Sequence, residues 1–188
     1  MYAADGVRWS LWITDDAPAA AYPRQRRLRT GFPAGAGTGS LGFRALVELH
    51  RNHGGTAPRF VLGGMLATRR GRHLDLDVRE SGDDWAGTPF EGPSGVRYQP
   101  GLPSEYSCAV QDGCAEELSA GQPVGGTLVI DRAGHMGESS PLLAREAAGL
   151  LVRALTVLQR GEDPLAAAVA RLGERPGRAG IGSGAGHD

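Results

Sequence analysis

The strongest pattern in the chain is an apolar repeat at helical spacing between residues 141 and 160. The apolar side chains recur three or four positions apart, at Leu142, Leu143, Ala147, Leu150, Leu151, Ala154, Leu155 and Leu158. Ser140 followed by Pro141 is typical of a helix start, because serine caps free backbone N–H groups and proline fits the first helical position. The pattern therefore predicts a long helix with one apolar face.

Shorter patterns predict the other elements. Ser40 and Ser104 are placed to cap helices over residues 40–53 and 104–119. Apolar or alternating runs predict strands, which cover residues 7–13, 59–67, 73–78 and 126–130. Gly63 and Gly64 mark a bulge or a close approach in the second of these strands. We expect loops over 81–100 and 131–138, a short helix after Pro164, and a flexible glycine-rich tail.

The basic residues of the chain are all arginine. There are 20 of them and no lysine, a composition typical of GC-rich, actinobacterial-type genomes. A Walker-type phosphate loop requires a lysine, and Schiff-base catalysis requires an amine. The sequence therefore excludes both chemistries, and with them a complete translational GTPase. A basic cluster over residues 24–29 has no family assignment.

Charge and hydropathy limit the partners and the compartment. The net charge of −1 gives no overall basic field, so nucleic-acid binding would require a local patch. No apolar run is long enough to span a membrane, and the first residues do not resemble a secretory signal. Cys108 and Cys114 match neither a redox pair nor a zinc motif, and we expect free thiols. These features predict a cytoplasmic protein without a membrane partner.

Four consecutive motifs carry a resemblance to a known family. The segment 101–106, Gly-Leu-Pro-Ser-Glu-Tyr, opens the first, and the small-residue turn at 119–126 follows it. Residues 131–140 end in paired serines, and the apolar helix with Ala147 and Ala148 comes next. In this order and spacing, the motifs resemble domain IV of elongation factor G, the ribosomal translocase. Upstream, Arg69 to Val78 resembles the hairpin and strand that open that domain, although His73 and Leu74 stand where the family has glutamine and an aromatic residue.

The resemblance implies a fold and a division of the chain. The fold is α+β, a two-layer sandwich of a mixed β-sheet with helices on one face and a left-handed βαβ crossover. The family-like domain covers residues 58–160. Residues 1–57 are then an N-terminal extension of one strand and one helix with unknown role, and residues 161–188 are a short helix and tail.

The resemblance also implies a site and a partner. In the family, the tip of this domain contacts RNA in the decoding centre of the small ribosomal subunit. His135 corresponds to the tip histidine, and we expect it to contact RNA together with neighbouring residues of two loops, which are Arg69, Arg70, Gly71, Arg72, Arg132 and Gly134. The implied function is a non-enzymatic ribosome- or RNA-associated module with a regulatory or protective role.

Two other functions remain open from the sequence. The same fold could be recruited as a ligand-binding, peptide-binding or catalytic protein in a specialised biosynthetic pathway, because a fold does not determine a function. A third hypothesis is a structural partner that docks through the helix at 141–160. Two observations discriminate among these hypotheses. An RNA-binding module should carry Arg69, Arg70, Arg72, Arg132 and His135 on one protruding end, whereas an enzyme should have a concave pocket that gathers titratable groups from both the first quarter of the chain and the domain.

No cofactor, metal or catalytic residue is predicted. Ser139 and Ser140 lie near His135, but a serine before proline is a cap, and no acid is placed to orient a base. His73, Asp75 and Asp77 share one face of a strand, which is typical of an exposed polar face rather than of a metal site.

Overall fold

One mixed sheet connects most of the described residues. The computed structural model of the protein describes residues 2–4, 7–12, 20–37, 39, 41–51, 57–83, 87–92 and 94–164. The elements in chain order are β1 (Tyr2–Ala4), β2 (Val7–Trp12), β3 (Arg26–Pro33), β4 (Gly42–Arg51), β5 (Arg59–Thr68), β6 (His73–Glu80), β7 (Phe90–Glu91), β8 (Arg97–Pro100), α1 (Ser104–Ala120), β9 (Gly126–His135) and α2 (Pro141–Gln159).

The strand order places β9 in the middle of the sheet. The path is β1-β2-β4-β5-β9-β6-β3, with β8 pairing to the last residues of β9 and β7 pairing to β8. β6 and β9 are parallel, whereas the other described pairs are antiparallel. The connection between these two parallel strands contains β7, β8 and α1, so β6, α1 and β9 form a βαβ unit with two short strands inserted before the helix.

Both helices pack on the same face of the sheet. Side chains of α1 and α2 share one buried cluster with the alternate, inward-facing residues of β4, β5, β6 and β9, including Leu49, Phe60, Leu62, Leu74, Leu76, Val78, Leu128 and Ile130. Successive side chains of a strand point to opposite faces, so this cluster defines a helix-covered face and an open face. The protein is therefore an α+β structure with two layers, as expected from the sequence.

The two helices approach closely at Gly113 of α1. A Cβ atom at Gly113 would lie 2.2 Å from the carbonyl oxygen of Arg145 in α2. Glycine weakens a helix interior by about 1 kcal/mol relative to alanine, and the close contact between the helices explains why it is present.

One helix cap is as predicted and the other is not. The Oγ of Ser140 accepts a hydrogen bond from the backbone N–H of Leu143 at 3.3 Å, which confirms the predicted cap of α2. Ser104 does not cap α1, because Pro103 occupies the cap position and the hydroxyl of Ser104 donates to Asp83. The predicted cap at Ser40 lies outside the described residues.

The predicted helix over residues 40–53 is wrong. Residues 42–51 form β4, which pairs with β2 on one side and β5 on the other. Residues 45–50 are all buried, because β4 is covered on both faces. The apolar residues of a strand buried on both faces do not alternate with polar ones, and this pattern is easily mistaken for a buried helix.

The first 57 residues differ from the expected strand and helix. They contribute β1, β2, β3 and β4 to the same sheet that contains β5, β6 and β9. The strand predicted at 126–130 also continues to His135, so most of the predicted loop at 131–138 is a strand. The short strands β7 and β8 lie within the predicted connection at 81–100. The helix and tail predicted after Pro164 lie outside the described residues.

Candidate functional site

Arginine side chains cross the open face of the sheet. They come from four strands: Arg27 and Arg29 from β3, Arg79 from β6, Arg132 from β9, and Arg44 from β4. Since neighbouring strands lie about 4.8 Å apart, β3 and β4 are separated by roughly 19 Å. We call this set the arginine band.

A bulge places two charged residues of β9 side by side on the open face. The register between β5 and β9 shifts between Gly63 and Gly64, which confirms the predicted bulge. Asp131 and Arg132 both lie on the open face, whereas Ile130 and Ala133 belong to the core below the helices. A Cβ atom at Gly64 would lie 2.5 Å from the carbonyl oxygen of Val129, so this irregularity requires a glycine.

Asp131 is the acidic centre of the arginine band. Its Oδ1 lies 2.8 Å from Nη1 of Arg44, and its Oδ2 lies 3.2 Å from Nη1 of Arg132 and 3.7 Å from Nη1 of Arg79. Asp131 is only 8% exposed. A single buried carboxylate therefore faces three guanidinium groups, which leaves an excess of positive charge.

Asp77 is the second carboxylate of this surface. The Nε of Arg27 donates to Asp77 Oδ1 at 2.8 Å, and the other oxygen pairs with the same guanidinium. This bidentate pair raises the pKa of Arg27, mainly through the hydrogen bond. No acidic side chain among the described residues pairs with Arg29. The arginine band with Asp77 and Asp131 therefore has more cations than anions.

A groove of about 390 Å³ adjoins the arginine band on β3, β6 and β9. Its lining residues are mostly polar and include Arg27, Arg29, Gly31, His73, Asp75, Asp77 and Thr127. This volume is within the range of about 300–1,000 Å³ that is usual for small-molecule sites. The groove is therefore large enough to hold a small polar ligand.

Other segments of the chain cover the half of the open face near β4 and β5. The segment with Ala20 and Tyr22 and the strands β7 and β8 lie over it, and Tyr98 packs with Ala20, Leu46 and Val61. The hydroxyl of Tyr22 donates to the carbonyl of Arg79 at 2.6 Å, and burial raises the pKa of Tyr22. Only the side of the face near β3 and β6 is therefore open to a ligand.

The covered half contains a buried carboxylate. Glu48, which is 2% exposed, accepts hydrogen bonds from Tyr98 and from the hydroxyl and backbone N–H of Ser94. Burial and the adjacent Glu48 raise the pKa of Tyr98. The contacts with Tyr98 and Ser94 hold the β7–β8 segment in place, and Arg59 of β5 lies 3.8 Å from the same carboxylate, so this cluster has a structural role.

The hairpin between β5 and β6 contains four of the predicted site residues. Arg69 donates to Asp75, whereas Arg70 and Arg72 are exposed and pair with no acidic side chain of the described residues. Gly71 has a φ of 145°, a conformation that side chains rarely adopt. This hairpin lies at the end of the sheet where β9 begins, because Thr68 and Leu74 both pair with Gly126.

Gly134 and His135 lie at the opposite end of the sheet. His135 pairs with Phe60 at the start of β5, nine residues along β9 from Gly126, which corresponds to about 30 Å. A Cβ atom at Gly134 would lie 2.7 Å from the ring of Phe90, so this glycine lies beneath a side chain. The expectation that both predicted loops form one protruding end is therefore wrong.

His135 is the last residue of β9 and is partly buried. Its ring packs against Tyr106 of α1 with centroids 5.4 Å apart, on the helix-covered side. Burial lowers the pKa of His135, and the nearby Glu105 partly opposes this shift. Of the predicted contacts near residue 135, Arg132 places its side chain on the open face, and Gly134 faces the same side but lies beneath Phe90.

Ser139 and Ser140 have structural roles. The Oγ of Ser139 accepts from the backbone N–H of Met136 at 2.8 Å and donates to the carbonyl of Arg59. Ser140 caps α2. Neither hydroxyl is hydrogen-bonded to His135 among the described contacts.

Several residues of the open face were not predicted from the sequence. Arg44, Arg79 and Asp131 come from three strands and meet only when the register is known. Two sequence features did point toward this surface. One is the basic cluster at residues 24–29, most of which lies in the edge strand β3, and the other is the glycine pair at the bulge.

Neither a metal site nor a membrane-spanning helix is found in the part of the chain that the structure describes. Among the described residues, no three histidine, cysteine or acidic side chains are arranged to hold a metal ion. Cys108 is exposed and Cys114 is buried, both are free thiols, and burial raises the pKa of Cys114 to about 12. None of the described helices has the length and apolarity needed to cross a membrane.

Comparison with known proteins does not identify the chain. No protein-family model matches it, and neither a curated protein nor a solved structure shows significant similarity. Fold and surface geometry therefore define the protein only as an α+β structure with a mixed sheet, two helices on one face and an arginine-rich open face.

Proposed function

We propose that this protein is a non-enzymatic, RNA-associated module related to domain IV of elongation factor G, and that its partner is RNA of the small ribosomal subunit. The resemblance at residues 101–160 supports this origin. We assign the left-handed βαβ crossover of the family to β6, α1 and β9, because β6 and β9 are parallel and α1 lies in the connection between them. The regulatory or protective role implied by the family belongs to the same proposal.

The arginine band is the observation that carries the RNA proposal. Two buried carboxylates accompany the five guanidinium groups of the band. Arg27, Arg29 and Arg79 are the more exposed of the five, whereas Arg44 and Arg132, whose side chains are 14% and 22% exposed, contribute charge more than direct contacts. Arg70 and Arg72 extend the positive charge beyond the groove. Guanidinium groups bind phosphates in a bidentate manner and stack on bases. Affinity for an RNA backbone arises mainly from such contacts. RNA would then contact the open face and the hairpin rather than a tip at His135.

Sedimentation with small ribosomal subunits and direct binding to RNA test this proposal. The informative variant combines Arg29→Ala with Arg72→Ala, because both side chains are exposed and lack acidic partners among the described residues. The matched control combines Arg145→Ala with Arg160→Ala, which removes the same charge from the helix layer.

We expect the first variant to bind RNA more weakly than the control. For single-stranded RNA, the dependence of log K on log salt should decrease by about 0.7 for each lost phosphate contact, hence by about 1.4 for two. The absence of binding to RNA and to subunits at both low and moderate salt would rule the proposal out. Equal losses in the two double variants would also contradict it, since only net charge would then matter.

A ligand-binding or catalytic role in a specialised pathway is the second candidate. The groove favours it, because its volume and mixed donors and acceptors suit a small polar molecule. The second candidate would be supported if the protein bound no RNA but bound a small polar molecule at this groove.

A further inference from the structure

We propose that the groove is a binding site for one ribonucleotide unit, and that it distinguishes ribose from deoxyribose. This inference rests on the proposed RNA association and names the part of the RNA that the groove takes. The same chemistry would also accept a free ribonucleotide. Three lining side chains each take one part of the nucleotide: Arg29 takes the phosphate, Asp75 the ribose and His73 the base.

Arg29 is the phosphate ligand. Its side chain lines the groove from the edge strand β3, is exposed, and pairs with no acidic side chain of the described residues. Its neighbour Arg27 is already occupied by Asp77 in a bidentate pair. Arg29 is therefore the guanidinium of the groove that can form a new bidentate contact with a phosphate.

Asp75 is the ribose ligand. It lines the groove, its side chain is 47% exposed, and Arg69 and His73 each contact one of its oxygens. Those contacts fix the carboxylate and leave each oxygen with further acceptor capacity. A carboxylate that accepts from a ribose 2′-hydroxyl loses this hydrogen bond with deoxyribose.

His73 provides a ring for the base. Its Nε2 lies 3.3 Å from Asp75 Oδ1, and its imidazole lies over Gly31 of β3. A Cβ atom at Gly31 would lie 2.4 Å from this Nε2, so the glycine is required for the ring position. The side chain of His73 is 60% exposed, which leaves ring surface for stacking with an unpaired base.

The test compares oligouridylate with oligodeoxyuridylate, and uridine 5′-monophosphate with its 2′-deoxy form. The variant is Asp75→Asn, and the matched control is Asp112→Asn, an exposed carboxylate on α1 in the opposite layer. Thermal melting verifies that each variant is folded. Arg29→Gln is the second variant, because loss of a phosphate contact should weaken RNA and DNA binding equally.

We expect the unmodified protein and Asp112→Asn to prefer the ribose form by about tenfold, the size of one charge-assisted hydrogen bond. Asp75→Asn should lose most of this preference, and Arg29→Gln should keep it with weaker binding overall. Equal affinity for RNA and DNA, or a preference that survives in Asp75→Asn, would overturn the groove assignment and leave RNA association intact. Preference for the free ribonucleotide without any RNA binding would support the groove and refute the proposed function. If the protein bound neither RNA nor the free ribonucleotide, both the groove assignment and the proposed function would be refuted.

Discussion

The two faces of the sheet are built from the same strands but have opposite chemistry. On β6, Leu74, Leu76 and Val78 are fully buried below the helices, whereas the alternate residues Asp75 and Asp77 lie in the groove on the open face. On β9, Ile130 belongs to the core, whereas Asp131 lies on the open face and contacts arginines of the arginine band. Each strand therefore contributes to stability on one side and to a charged surface on the other.

This difference separates two kinds of residue that the sequence places side by side. Substitutions on the helix-covered face should change the free energy of unfolding and leave the affinity of the folded protein for RNA unchanged. Substitutions on the open face should change RNA affinity at least as much as stability. Asp131, which is buried on the open face, should affect both.

The largest expected effect is on the helix-covered face. Leu151 of α2 is completely buried in the core cluster, so Leu151→Ala should lower the free energy of unfolding by about 2–5 kcal/mol through lost apolar contact and a cavity. Chemical denaturation measures this change. RNA affinity, corrected for the folded fraction, should stay the same.

Leu142 on the same helix is the matched control, since it is 56% exposed. Leu142→Ala should change stability by no more than about 0.5 kcal/mol. If the two leucine variants lost the same stability, α2 would not be packed on the sheet in the way described.

An intermediate effect is expected at Asp131, where stability and binding should change in opposite directions. Asp131→Asn removes the carboxylate that faces Arg44, Arg79 and Arg132, and should reduce the free energy of unfolding by about 1.5–3 kcal/mol. RNA affinity at low salt should rise, because the three guanidinium groups lose their shared anion. Denaturation and RNA titration of the same preparation measure both quantities.

Asp112→Asn is again the control, since it makes the same charge change in the helix layer. Asp112→Asn should change RNA affinity less than Asp131→Asn does. A decrease in the RNA affinity of folded Asp131→Asn would show that the arginine positions, rather than the excess charge, determine binding.

The smallest expected effect concerns the pH dependence of stability at His135. Burial lowers the pKa of His135 in the folded protein, so below a pH of about 6.5 the unfolded chain binds a proton that the folded protein does not. Stability should therefore decrease as the pH falls through this region. His135→Leu should remove this component, which thermal melting between neutral and mildly acidic pH would reveal.

The slope of melting temperature against pH is compared between the unmodified protein and His135→Leu. The slope should be smaller in His135→Leu, whatever its absolute stability. Identical slopes would contradict the burial of the His135 ring that lowers its pKa in the folded protein.

Local patterns were sufficient to predict some elements. The repeat at 141–160 with Ser140 at its start predicted α2 to within one residue, and the alternation at His73–Val78 predicted β6. The α+β class and the bulge at Gly63–Gly64 were also predicted correctly. Helix spacing, capping and strand alternation depend on neighbouring residues, so the sequence contains this information directly.

Only the tertiary structure decided the rest. β4 was mistaken for a helix because burial on both faces depends on distant strands, and the two predicted loops lie at opposite ends because strand directions set their positions. The arginine band exists only through the register of four strands. The sequence by itself therefore determined the local elements and the available charges, whereas long-range pairing determined which charges meet, because contacts across a sheet do not depend on proximity along the chain.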